Sequence, residues 1–106
     1  MFAARRLPPE RRDDDREEVF YRTRASAAAP GSFPIQVVNI SPHGFMARAE
    51  AEPPVGTALS VRLPIIGEVE AEVRWSLGGR IGCQFARAIE LAPYLELLGA
   101  MARNAR

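Results

Sequence analysis

Apolar and polar residues alternate with a two-residue period through most of the chain and take up a helical period only near its end. Val19-Phe20-Tyr21-Arg22-Thr23-Arg24-Ala25 is rich in aromatic and β-branched residues and sets Arg22 and Arg24 on one face, which predicts a first strand with solvent-facing arginines. Ala27 to Ser32, with Pro30-Gly31, reads as a loop, and Phe33 to Ile40 as a second strand. Ser41-Pro42-His43-Gly44 is a tight turn into a third strand, Phe45 to Glu50, with Arg48 and Glu50 outward. Beyond the Pro53-Pro54-Val55-Gly56 break, Leu59, Val61 and Leu63 alternate with Ser60 and Arg62, the pattern of a half-buried strand. Val69 to Trp75 repeats that device with Trp75 on the face of Val73, and Gly78-Gly79 turns the chain into Arg80 to Phe85 as a hairpin.

Strands at this spacing with no helical crossovers between them imply an all-β antiparallel barrel or sandwich, not a parallel sheet. The period then changes. Leu91, Tyr94, Leu95, Leu98 and Met101 or Ala102 fall at helical spacing, with Pro93 tolerable in a first turn. The apolar stripe expected on this helix is Leu91, Leu95 and Leu98 with Leu97 beside it, facing either the open mouth of the barrel or a second subunit. Residues 1–18, with Pro8-Pro9 and the charged run Glu10 to Glu18, are too polar for a core and are expected to form a flexible N-terminal arm ahead of a single domain at 19–106.

A chain of 106 residues has room for one domain, and 47% hydrophobic with 25% charged residues is the ordinary balance of a globular protein. The net charge of +1 supplies little of the broad field that a dedicated nucleic-acid binder needs, so an anionic partner must be held by local geometry. All 14 basic residues are Arg. The single cysteine, Cys83, forms no internal disulfide and fits a reducing compartment. The first residues lack the apolar core of a secretory signal, and no apolar run is long enough to span a membrane, so no membrane insertion is expected.

Asn39 and Ser41 project to the same side of the second strand by its two-residue period, just ahead of Gly44. Upstream lies Arg12-x-x-x-Arg16, and 22 residues (17–38) separate it from Asn39-x-Ser41-x-x-Gly44. This pair of motifs, in this order, resembles the signature of the PilZ domain, a bacterial receptor module for cyclic di-GMP. The strand Gly82-Cys83-Gln84-Phe85 resembles the Gly-x-x-Phe ending of that family's last strand. The resemblance implies a six-stranded antiparallel β-barrel with a C-terminal helix, in the bacterial cytoplasm. It also implies cyclic di-GMP contacts by Arg12, Arg16, Asn39, Ser41 and Gly44, with Arg11 and His43 as accessory contacts.

The chemistry suits those residue types. Two guanines and two phosphates call for planar donors and positive charge, and the five-donor guanidinium fork supplies both, bidentate on guanine O6 and N7 or on phosphate oxygens. Asn39 offers one acceptor oxygen where an Asp would offer two. Gly44 either makes a tight turn or leaves room for the ligand's approach. Asp13-Asp14-Asp15 sets three carboxylates between the two arginines, where they oppose a dianionic ligand or pair with the arginines.

Other residues carry bland readings. Cys83 shares parity with Ile81 and Phe85 and reads as a small core residue, His43 as an exposed turn residue without a catalytic partner, and Trp75 as core or rim. The scattered carboxylates form neither an acid and base pair nor a metal cluster. The expected function is therefore a cyclic di-GMP receptor, not an enzyme and without cofactor. Ligand would order the arm and signal to an effector protein, with the chain a monomer or homodimer. The alternative is a PilZ-like interaction module that binds no nucleotide. A small-barrel nucleic-acid binder is disfavoured because Phe45, Trp75 and Phe85 are expected to face inward and the net charge is low.

Overall fold

A computed structural model describes residues 16–103 of the chain. Among them are six strands: β1 (Glu17–Ser26), β2 (Ser32–Ser41), β3 (Gly44–Arg48), β4 (Ala58–Leu63), β5 (Gly67–Leu77) and β6 (Arg80–Phe85), followed by the helix α1 (Leu91–Arg103). The strands close into an antiparallel barrel in the order β1-β2-β3-β6-β5-β4, sealed where Ala25 and Ser26 of β1 pair with Val61 and Ser60 of β4. Of the two architectures that the strand pattern allowed, the barrel forms. Closure leaves no free sheet edge. The third strand stops at Arg48, two residues short of its expected end, and β1 begins at Glu17, which with Glu18 pairs to Ile40 and Asn39. Arg11, Arg12 and Asp13 to Asp15 lie outside the described residues, as does most of the expected arm.

Alternation places one side chain in two inside. Val37, Ile40, Val61, Leu63, Val73 and Ile81 are fully buried, and Phe45 meets Phe85 across the interior at 5.5 Å between ring centroids. That tilted approach is the geometry aromatic quadrupoles favour. Cys83 is buried as its parity predicts, and burial pushes its thiol up from 9.0 to about 12. Arg22 and Arg24 stand outside, the first over the Phe20 ring at 5.4 Å and the second donating from Nε to Ser32 Oγ at 2.9 Å.

Two expectations about facing are corrected. The helix buries Tyr94, Leu97, Ala100 and Met101, whereas Leu91 and Leu95 of the expected stripe are 69% and 55% exposed. Tyr94, Leu97 and Met101 join the barrel core, so the helix covers the barrel mouth through them. Tyr94 adds a polar tie, donating its hydroxyl to the Ile40 carbonyl at 3.2 Å. Ala100 keeps the buried face low enough for close approach.

Trp75 is the second correction: it is 39% exposed although Val73 is fully buried. Val73 pairs with Cys83 and Trp75 with Gly82, so β5 spends two residues where β6 spends one. Such a bulge inverts the facing of everything beyond it. Phe45 and Phe85 lie on β3 and β6, which carry no extra residue at these shifts, and face inward as expected.

Candidate functional site

The turn that carries the motif is held from several sides. Ser41 pairs with Gly44, which leaves Pro42-His43 as a two-residue loop, and Ser41 Oγ accepts the His43 backbone N–H at 3.2 Å. A serine bonding two residues ahead is a local turn device that fixes the loop before any ligand is considered. The loop carbonyls are used too. His43 C=O accepts the Phe85 N–H at 2.8 Å and Pro42 C=O accepts the Ile89 N–H at 2.9 Å, so β6 and the segment before α1 clamp the turn.

Gly44 is needed for a reason that neither expectation named. Its backbone is not left-handed, but a Cβ there would collide with the Cys83 carbonyl oxygen and approach Gln84 Cα to 3.1 Å. The close neighbour is the backbone of β6. Gly82 answers a similar need: a Cβ on it would run into the Trp75 indole, which lies across it. A glycine inside a strand commonly marks such an approach.

These residues share one open cleft on the outer barrel wall, about 430 Å³, lined among others by Arg16, Ser41, His43, Gly44, Met46, Trp75 and Gln84. Four of the expected site residues, Arg16, Ser41, His43 and Gly44, are thereby brought together. Asn39 does not line the cleft. It reaches the wall through Met46, its registered partner, whose sulfur lies 3.8 Å from Asn39 Nδ2 as a weak acceptor. Asn39 and Ser41 stay in continuous register beyond the bulge between Val37 and Asn39, so their shared parity holds; Asn39 lies two residues further from Gly44, and Met46 stands at the cleft in its place.

Three lining residues carry chemistry that the sequence pattern did not single out. Trp75 presents a broad aromatic face, Gln84 an amide beside Gly44, and Arg74 a second guanidinium. Arg74 is 3.9 Å from Glu72, and both are more than half exposed, so solvent screens the pair and the cation stays available. The signal for Trp75 was present in the hairpin. A two-residue Gly78-Gly79 turn fixes Leu77 opposite Arg80, and hence Trp75 opposite Gly82, a position with no side chain.

The wall therefore offers two arginines, a planar ring, an amide and a hydroxyl around one concavity. Among the described residues no group of His, Cys, Asp and Glu could hold a metal ion, and no helix is long and apolar enough to cross a membrane. Comparison with known families matches the PilZ domain to residues 10–102. There is no significant match among curated proteins. With the match running from ahead of the arginine motif to the end of the helix, and the closed barrel beneath it, the chain belongs to the PilZ domain family.

Proposed function

We propose that the chain binds cyclic di-GMP in the cleft between the Ser41 to Gly44 turn and Trp75, and passes that signal to a protein partner. The observation that carries the reading is the convergence of Arg16, Ser41, His43 and Gly44 on a cleft that also holds the chain's only tryptophan. In this reading Trp75 stacks on a guanine, because an exposed ring backed by a glycine is a flat platform that suits a base face. Arg16 and Arg74 supply forks for a guanine edge or for phosphate, and Ser41 and Gln84 complete the hydrogen bonds. Arg12, Arg11 and Asn39 are assigned to the same ligand from their motif positions.

Family membership supports a binding or adaptor role. Ligand held by an arginine arm on one side and the barrel wall on the other would couple occupancy to the arm's placement, which is how a small rigid barrel can change its outer surface.

The test is a titration with cyclic di-GMP read by calorimetry and by Trp75 fluorescence, beside Arg16→Ala, Trp75→Ala and a GTP control. Binding by the native chain should quench Trp75 and weaken in both variants. Removing a stacking ring costs about 1–3 kcal/mol per base, or roughly 5- to 150-fold in affinity. No heat and no quench at high ligand concentration would move the assignment to an interaction module that binds no nucleotide.

A further inference from the structure

The outer wall carries a second feature, away from the cleft. Register places Arg22 of β1 opposite Gln36 of β2, Gln36 opposite Arg48 of β3, Arg48 opposite Arg80 of β6, and Arg80 opposite Leu77 of β5. One rung thus crosses five neighbouring strands. Arg22, Arg48 and Arg80 line a shared depression together with one acid, Glu50, and among the described residues none of the three arginines makes an ion pair.

Like charges directly opposite in a ladder are destabilising, and a barrel selected for folding alone has no use for Arg48 against Arg80. The β4–β5 ladder shows the neutral solution: Arg62 stands opposite Glu68, 3.6 Å away. At the end of the arginine rung sits Leu77, 78% exposed. An exposed leucine beside unpaired arginines has the makings of a protein interface, where an apolar anchor and arginine forks combine.

We propose that this rung is a docking surface for an acidic face of a protein partner, with carboxylates on the three guanidinium groups and an apolar residue on Leu77. Strands lie about 4.8 Å apart, which puts Arg48 about one strand from Arg80 and about two from Arg22. Carboxylates three or four residues apart on a helix, with another two turns further on, match that spacing.

Charge and size select this occupant over others. Three cations with a net chain charge of +1 are too few to track a nucleic-acid backbone. The aromatic ring beside the rung, Phe20, is already covered on one face by Arg22 at 5.4 Å, which leaves a single small platform and not the series of rings on which successive bases stack. At about 1 kcal/mol per basic residue, three arginines hold a membrane surface weakly. The rung is two residues along β3 and β6 from Met46 and Gly82 of the cleft, close enough to share a partner and distinct in its side chains.

The test uses the full chain and a labelled helical peptide of about four turns, with glutamates at i, i+4 and i+11 and a leucine one turn ahead of the first, to meet Leu77 beyond Arg80. Its Glu→Gln counterpart, a thymidine oligonucleotide and phosphatidylserine vesicles serve as the other arms. Anisotropy at low salt should show binding of the Glu peptide, weakened about tenfold or more by Arg48→Glu with Arg80→Glu and by Leu77→Ser. These side chains stand outside the barrel, so melting curves should stay native. Arg48→Gln with Arg80→Gln serves if the charge reversal does not fold.

No binding of the Glu peptide, equal binding of its Gln counterpart, or indifference to the substitutions overturns the proposal. So does tighter binding of the oligonucleotide or vesicles. Peptide binding that appears only after Asp13, Asp14 and Asp15 are changed to Asn would assign the rung to the chain's own acids instead. Quenching of Trp75 by cyclic di-GMP should survive Arg48→Glu with Arg80→Glu, and its loss would make the rung part of the nucleotide cleft. Failure of the native chain to bind cyclic di-GMP leaves the peptide result unaffected, so the two readings fail separately.

Discussion

Substituting Gly44 by Ala separates two roles that the motif position could have: making room for a ligand, or letting two strands meet. The geometry assigns the second. The added Cβ would overlap the Cys83 carbonyl oxygen and press on Cys83 C at 3.2 Å and Gln84 Cα at 3.1 Å, all of them backbone atoms. No rotamer change relieves such contacts, so the end of β6 must move away from β3. The first casualty is the Phe85 N–H bond to the His43 carbonyl at 2.8 Å, worth about 1 kcal/mol net. Overpacking strain adds about 1–3 kcal/mol, for a total of about 2–4 kcal/mol. Against a whole-domain stability of about 5–15 kcal/mol, that is a large fraction. Urea unfolding should shift its midpoint down by about 1.3–4 M, given a slope of about 1–1.5 kcal/mol/M for a domain of this size. Gly44→Ala with an unchanged midpoint and lost nucleotide binding would refute the reasoning, since the glycine would then serve the ligand and not the ladder.

Asn39→Asp should keep or tighten cyclic di-GMP binding, because a carboxylate accepts from both N1 and N2 of a guanine edge, and a titration showing binding abolished would count against it. Ile65 holds a backbone φ of 71° in an exposed turn, a left-handed conformation that a β-branched residue adopts at a penalty, so Ile65→Gly should raise stability by about 1 kcal/mol in a denaturant titration. Leu97→Ala should lower stability by about 2–5 kcal/mol, while Leu95→Gln on the exposed side of the same helix should change it by under about 0.5 kcal/mol, both read by thermal melting. The Cys83 thiol is raised from 9.0 to about 12 by burial, so the folded state holds its proton more tightly than the unfolded state. Its contribution is therefore complete below pH 9 and lost as pH climbs from there toward 12. Native protein at pH 8 should resist thiol reagents until denaturant is added, and rapid labelling without denaturant would contradict the buried placement.

The strands were legible because a barrel wall with one wet face writes itself as alternation, and glycine and proline punctuate its turns. Facing was legible only as far as the alternation ran unbroken. Parity counted from Val73 puts Trp75 inside, whereas parity counted back from the Gly78-Gly79 turn, with Ile81 inside, puts Ser76 inward and Trp75 outward. The two counts disagree, and that disagreement is itself the mark of a bulge between residues 73 and 75. Asn39 shares the parity of Ser41 but not its cleft, because Met46, its partner on β3, lines the wall there instead. The helix failed differently. Its leucines outnumber what one face can bury, and composition gives Leu91 and Leu95 the same weight as Leu97. The buried face is the one on which a core fit and a polar tie coincide: Leu97 and Met101 enter the barrel core while the Tyr94 hydroxyl reaches the Ile40 carbonyl. Register against another element, not residue type, decided each case. The motif glycine shows the same dependence, because its need for an absent side chain is set by a carbonyl of β6, some forty residues downstream.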